Sequence, residues 1–321
     1  MTPLLPYRRA IIRRMFRLSR EVRFAIDPSP PEKSPADAPG TDPSDGRIHV
    51  DRLADDLSAG LSVVHPSAVD PPSIDPSAPA RDGNGYAGIP PVRSLASRYF
   101  ALTVTLSGDL DAQSSYLRNI KEIDDAVRRL AIPLLARRLQ RPGAGFDVML
   151  ELHGALQNAW PGTTLVSLKL DLSPFTGIAA HSDEVPMLRL SHRFEFSASH
   201  RLHNPALSDE QNVATFGKCN NPQGHGHNYE LQVTVTGPVR DDGRIIDPNV
   251  LERIVNETVI RPLDHKHLNL QAPPFNRVNP SVENIAREIH RRLKPALDAE
   301  QVKLSSVTVW ETPKTFAEYS E

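Results

Sequence analysis

The stretch from Phe194 to Gly237, FEFSASHRLHNPALSDEQNVATFGKCNNPQGHGHNYELQVTVTG, most constrains what this chain can fold into. Its last part alternates strictly. Tyr229, Leu231, Val233 and Val235 are apolar, whereas Glu230, Gln232, Thr234 and Thr236 are polar. That is the period of a half-buried strand. His225 and His227 open the strand at i and i+2, so both imidazoles point to one face. His200 ends an earlier alternating run that begins near Arg189. Antiparallel pairing of the two runs sets His200 beside the His-Gly-His pair. Three neutral imidazoles suit zinc, with a fourth position left for water or substrate, as in a catalytic rather than a closed structural site.

The same stretch holds Cys219, the one cysteine of the chain, six residues before His225. A thiolate is a competent base where cationic charge lowers its pKa. The commoner fate of a lone cysteine is a small buried hydrophobe, but Gly217-Lys218-Cys219-Asn220-Asn221 is a loop and not an apolar run. A single cysteine also excludes an internal disulfide and fits a reducing compartment. Lys plus Arg number 37 and Asp plus Glu 39, so bulk charge gives no support for nucleic-acid binding. No apolar run approaches the roughly 20 residues of a membrane helix. The arginine-rich start, MTPLLPYRRAIIRRMFRL, is followed by no signal core or cleavage site, which makes a cytoplasmic location the expectation.

Four motifs, FSASHRL, FGKCNNPQGHGHNY, PLDHKHLN and VWET, occur in order between Leu188 and Tyr319. Together they resemble the 6-pyruvoyl-tetrahydropterin synthase family, which includes the 6-carboxytetrahydropterin synthases of queuosine synthesis. The resemblance implies a T-fold and a zinc ion (Zn2+) held by His200, His225 and His227. It implies a pterin triphosphate substrate, 7,8-dihydroneopterin triphosphate, and a homo-oligomer with active sites at subunit interfaces. It further makes Cys219 a base, Asp264-His265 a proton relay, Glu311 the anchor of the pterin ring, and Glu283 a second acid near that ring. Read alone, Asp264-His265 is a common surface dipeptide, Glu311 a strand-end carboxylate and Glu283 a solvent-facing acid in a first helical turn. His267 reads as solvated. Lys218, Arg201 and Lys266 are triphosphate candidates by charge only. The spacing from Cys219 to His225 and the run His225-Gly226-His227-Asn228 favour a 6-pyruvoyl product. The alternatives are a 6-carboxy product with release of acetaldehyde, and a non-catalytic pterin-binding or assembly module.

The chain also repeats itself. Arg17 to Phe24 matches Arg189 to Phe196. Leu102, Val104, Leu106 and Gly108 match Leu231, Val233, Val235 and Gly237 at an offset of 129, and Pro133-Leu134 matches Pro262-Leu263 at the same offset. Leu168-Lys169-Leu170 matches Val307-Thr308-Val309. The prediction is an α+β chain of two tandem T-fold domains, each a four-stranded antiparallel sheet with two helices on one face. The first spans 1–183 and is interrupted at 28–83 by a Pro-, Asp- and Ser-rich loop that reads as disordered. The second spans 184–321 and carries the chemistry. In the first, Leu135-Ala136 replaces Asp264-His265, Leu172 replaces Glu311 and Pro28 falls opposite His200, so that half is expected to be catalytically dead. Helices are predicted from Asp247-Pro248 to about Ile260 and from Ser281 to about Lys294, where Pro295 stops the second.

Overall fold

Strand periodicity in both halves is realised as long antiparallel pairs. The computed structural model describes residues 15–26, 97–141, 143 and 145–321. The predicted 28–83 loop, Pro28 and residues 90–96 lie outside the described residues. Strand β1 (Phe16–Ile26) pairs with β2 (Arg98–Gly108). Helix α1 (Ile120–Ala126), a π-helical turn (Val127–Ala131), α2 (Ile132–Leu139) and α3 (Val148–Leu156) follow, then β3 (Thr164–Asp171) and β4 (Thr176–His181). The second half runs β5 (Leu188–His200), α4 (Asp209–Phe216), a 3-10 turn (Gly217–Asn220) and β6 (His225–Gly237). It continues through α5 (Pro248–Val255), a π turn (Asn256–Ile260), α6 (Arg261–Leu263), β7 (Lys266–His267), α7 (Leu268–Gln271) and α8 (Val282–Ala299). It closes with β8 (Lys303–Thr312) and β9 (Thr315–Tyr319).

The strands form one sheet of nine, in the order β1-β2-β3-β4-β5-β6-β8-β9, with β7 parallel to the end of β5. This corrects the expectation of two separate four-stranded sheets. Strands β4 and β5 pair directly, from Thr176↔His192 to Ala180↔Leu188. Separate sheets would leave the backbone groups of both strands unpaired at an open edge. The connection at 182–187 is short and pinned. Glu184 receives both arms of the Arg189 guanidinium at 2.6 and 2.7 Å. The described residues all fall within one compact unit.

The two halves share local irregularities. A register shift lies between Thr105 and Leu106 and again between Thr234 and Val235. Each π turn runs into a proline, Pro133 or Pro262, whose ring removes the amide that an uninterrupted α-helix needs. Asp247 caps α5 as predicted, accepting from Asn249 N at 2.8 Å. Pro295, expected to stop the last helix, instead lies inside α8. The helix continues because Leu297 beyond it is fully buried, as are Ile285, Ile289 and Leu293 before it. This packing outweighs the one hydrogen bond lost at proline. The helices cover the face that carries Tyr229, Leu231, Val233 and Val235, all at 0 % exposure. His225 and His227 fall on that covered face, at its open end.

One backbone crossing joins the halves away from the sheet. Phe146 N donates to Gly243 O at 2.7 Å, and a Cβ on Gly243 would stand 2.8 Å from the Cα of Gly145. Gly243 also has φ of +78°. Gly243→Ala is therefore expected to destabilise the protein by about 1–3 kcal/mol, seen as a lower midpoint in chemical denaturation. An unchanged midpoint would show that the crossing opens without cost.

Candidate metal centre and active site

The thirteen-residue pairing of β5 with β6 puts His200 opposite His225 and Ala198 opposite His227. Strand alternation then brings all three imidazoles to one face. Glu311, near the end of β8, joins them. One ligand atom from each of His200, His225, His227 and Glu311 lies within 4.8 Å of the others. His200 Nε2 is 3.2 Å from His225 Nε2, and Glu311 Oε1 is 2.8 Å from His227 Nε2 and 3.5 Å from His200 Nε2.

The surroundings orient these nitrogens. His200 is fully buried, and its Nδ1 bonds to the carbonyl of Pro280 at 2.7 Å, just before α8. A neutral His200 thus carries its proton on Nδ1 and offers the Nε2 lone pair, as a ligand histidine does. Tyr229 closes the floor, with its hydroxyl 3.4 Å from His200 Nδ1. Burial pushes the Tyr229 phenol up, so it stays neutral. His225 Nδ1 is buried without a hydrogen-bond partner, whereas His227 Nε2 has the Glu311 carboxylate at 2.8 Å. The lone pairs of His200 Nε2 and His225 Nε2, 3.2 Å apart beside that carboxylate, are costly to bring together unless a cation meets them. These residues fit a divalent metal with nitrogen and oxygen ligands.

Charge in the cluster is set by burial first. Desolvation holds His225 and His227 below the ordinary imidazole range. The positive charge of neighbouring imidazoles adds to this at His225, while the Glu311 carboxylate opposes it at His227. The His200 imidazole, and after it His227, hold Glu311 below the usual carboxyl range against the effect of its own burial. Neutral imidazole and ionised carboxylate are the forms that bind metals.

The remaining predicted residues divide. Cys219 is half-buried in the 3-10 turn, and its carbonyl accepts from Leu202 N at 2.9 Å, two residues past His200. That turn is fastened by Asn220, whose side chain donates to the Leu202 carbonyl at 2.7 Å, and by Arg201, which donates to the Asn220 carbonyl at 3.1 Å. Arg201, a charge-based phosphate candidate, is here committed to the turn. Asp264 and His265 do form a pair, with His265 Nδ1 2.7 Å from Asp264 Oδ2 and Ser197 N donating to Asp264 Oδ1 at 2.8 Å. They are not brought into the metal cluster. The His265 ring is 82 % exposed and shares an open hollow of about 520 Å³ with Ser197, Ser199, Asn228 and also His227. Lys266 lines the same hollow. Glu283 is exposed in the first turn of α8 and stands apart from the cluster.

His267, expected to be solvated, is held in β7 with a buried Nδ1 that has no hydrogen-bond partner. Its Nε2 would lie 2.9 Å from a Cβ on Gly224, and the His200 carbonyl 2.8 Å away. Gly224, at φ +73°, is thus required for the chain to enter β6 past His200. Sequence reasoning missed Gly224 and the fastening asparagines, Asn220, Asn269 and Asn279. Asn269 accepts from Arg201 N at 2.8 Å, and Asn279 from His203 N at 3.2 Å. Long-range side-chain bonds of this kind leave no periodic signal.

Comparison with known proteins points one way. Residues 189–321 match the family model described as 6-pyruvoyl tetrahydropterin synthase. The 6-pyruvoyl tetrahydrobiopterin synthase of Homo sapiens is 42% identical over 132 residues, covering 41% of this chain and 90% of that protein. The 6-carboxy-5,6,7,8-tetrahydropterin synthase of Haemophilus influenzae is 32% identical over 156 residues, covering 42% of this chain and all (100%) of that protein. A solved structure of Caenorhabditis elegans 6-pyruvoyl tetrahydropterin synthase aligns at 35% identity over 42% of this chain and 96% of that one, with a TM-score of 0.41.

The shifts at His225, His227 and Glu311 share one sign. Each unfolded group binds a proton more readily than its folded form, so stability falls with acid. In the metal-free protein the melting temperature is expected to drop steadily as pH is lowered from about 6.5. Calorimetry across that range checks this, and a level melting temperature would contradict the assigned shifts.

Proposed function

Since the chain belongs to the 6-pyruvoyl tetrahydropterin synthase family, we propose that its second half, 184–321, is a zinc-dependent catalytic domain acting on 7,8-dihydroneopterin triphosphate. The chain is a lyase of the 6-pyruvoyl/6-carboxy-tetrahydropterin synthase type. The finer reading is elimination of triphosphate to give 6-pyruvoyl-tetrahydropterin. The observation that carries it is the convergence of His200, His225 and His227 on one face, with Cys219 on the turn tied beside His200.

In this reading the three imidazoles hold the metal. Bound there, zinc acts as a Lewis acid that makes a carbon-bound proton beside a side-chain hydroxyl easier to remove. Cys219, as thiolate, accepts that proton. Asp264 fixes the tautomer of His265 by holding Nδ1, which leaves Nε2 to pass a proton. His265 is exposed and lies outside the group of His200, His225, His227 and Glu311, and in this reading the pair acts at a site completed by a neighbouring copy. Glu311 reaches the guanidine-like edge of the pterin from beside His227. Glu283 has no supporting contact and keeps only its expected place near the ring.

The first half, 1–183, is proposed as a degenerate tandem T-fold. The shared register shifts and proline-linked π turns support a duplicated framework. Leu135, buried in α2, stands where the second half has Asp264, and partly buried Leu172 stands at the place of Glu311. A 6-carboxy product with loss of acetaldehyde is the second reading, favoured by the full-length match to the Haemophilus influenzae relative.

Mass spectrometry of products from zinc-loaded protein and 7,8-dihydroneopterin triphosphate separates the readings. A 6-pyruvoyl product is expected. A 6-carboxy product with acetaldehyde selects the second reading, and unchanged substrate overturns both in favour of a binding module. Cys219→Ala is expected to cut turnover roughly 10²–10⁴-fold while the zinc content, read by elemental analysis, stays at the unmodified level. Loss of zinc in that variant would instead make Cys219 part of the metal's support.

A further inference from the structure

The two halves differ on the sheet face that carries no helices. Leu168, Leu170 and Ile178 are buried in the core, so alternation turns Asp171 and Gly177 to the other face. Val307 and Val309 are buried likewise, which turns Trp310 and its partner Phe316 the same way. The two pairs hold equivalent places. Asp171 pairs with Gly177 one step beyond Leu170↔Ile178, as Trp310 pairs with Phe316 one step beyond Val309↔Ala317. In the second half the Trp310 and Phe316 rings fill this place, with centroids 5.7 Å apart and the Arg193 guanidinium 4.9 Å from the Trp310 centroid. In the first half neither ring is present. Gly177 brings no side chain, and Asp171 lies so close that a Cβ on Gly177 would stand 2.9 Å from its Oδ1.

The result is a hollow of about 310 Å³, at the small end of the roughly 300–1,000 Å³ of small-molecule sites. Tyr99 of β2 and Phe175 of the turn between β3 and β4 stand in its wall. Both rings are exposed, at 45% and 56%. Phe175 is nonetheless held on a fixed backbone. Its N–H donates to Ser173 Oγ at 3.1 Å, and its carbonyl accepts from Arg193 N at 2.9 Å. Two exposed aromatic rings around one hollow are stacking faces that the described residues leave uncovered. The cations of the lining are already matched. Arg23 lies 2.5 Å from Glu21, Lys169 2.8 Å from Asp171 and Arg193 3.3 Å from Glu230. An anion would have to displace a carboxylate, so the lining favours an uncharged ring. The Asp171 carboxylate accepts N–H donors from such a ring.

We propose that this hollow binds a flat, uncharged, fused heteroaromatic ring with an N–H donor edge of the guanine kind, in the place that Trp310 and Phe316 fill in the second half. The inference rests on the duplicated framework read above. Tyr99 and Phe175 stack on the ring, and Asp171 accepts from its edge. None of the lining residues belongs to the group of His200, His225, His227 and Glu311, so the first half carries a ligand site of its own.

Calorimetric titration of the full chain with guanosine tests this without reference to turnover. Guanosine is expected to bind, and Tyr99→Ala and Phe175→Ala are each expected to weaken it roughly tenfold. Asp171→Trp combined with Gly177→Phe rebuilds the pair of the second half and is expected to abolish binding. Glu311→Gln is expected to leave it unchanged, which separates this hollow from the proposed catalytic pocket. Neopterin, whose ring carries the same edge, is titrated into Glu311→Gln as the second arm. Tighter binding of neopterin or of guanosine there assigns the hollow to a pterin or to a nucleoside, and either supports it if Phe175→Ala weakens that binding. No binding of either probe at millimolar concentration, undiminished binding in the rebuilt variant or in both alanine variants, or loss of binding in Glu311→Gln would overturn the proposal. Circular dichroism checks the fold of each variant. If the rebuilt variant does not fold, the two alanine variants decide, because both replaced rings are exposed. Guanosine binding without turnover of the pterin triphosphate would sink the catalytic reading and leave this one standing.

Discussion

The register of β5 on β6 is the constraint on which the rest depends. It runs unbroken from Leu188↔Gly237 to His200↔His225. A shift of one residue would turn every core side chain of one strand outward and split the imidazoles between faces. The apolar run Tyr229, Leu231, Val233 and Val235 forbids that shift, because each is fully buried beneath the helices. The hydrophobic core therefore holds the group of His200, His225, His227 and Glu311 in place. The site costs the strand nothing extra in order, since its residues continue an alternation that the core has already fixed. The same covered face desolvates His225 and His227 and keeps them neutral.

Continuity of the sheet is the second element. The β4–β5 joint fuses two similar four-strand units into one surface, and Glu184–Arg189 pins the connection. Leu135 and Leu172 of the first half match Asp264 and Glu311 of the second in the internal alignment. Phe24 and Phe100, with centroids 5.9 Å apart, occupy the place of the stacked pair Phe196 and Tyr229 at 4.9 Å. A framework can lose its chemistry and retain its packing because the two depend on different ends of the same strands.

Around the cluster, order comes from polar side chains that bind backbone across long sequence distances. Asn269 clasps both N–H and carbonyl of Arg201, and Asn220 holds Leu202. These bonds give the turn bearing Cys219 a fixed position beside His200 without any apolar anchor of its own. Buried amide groups that are fully paired rigidify a loop in a way that scattered surface contacts do not.

Alternation, the His-Gly-His spacing and the proline and aspartate signals were enough to read β5, β6, the start of α5, the buried face of α8 and the three histidines that converge. These are local patterns with a fixed geometric meaning. The internal matches at an offset of 129 were also legible, because apolar spacing is a local pattern. The joining of β4 to β5 was not, since edge pairing depends on which backbone groups lack partners once all strands are placed. The continuation of α8 through Pro295 and the partial burial of His267 were hidden for the same reason: packing from distant residues decided them. The sequence by itself thus determined which residues share a face. Only the tertiary structure decided that Glu311 meets His227, and that His265, paired with Asp264, lies exposed outside the group of His200, His225, His227 and Glu311. Those two outcomes rest on strand order and sheet face, and neither is written in any local period.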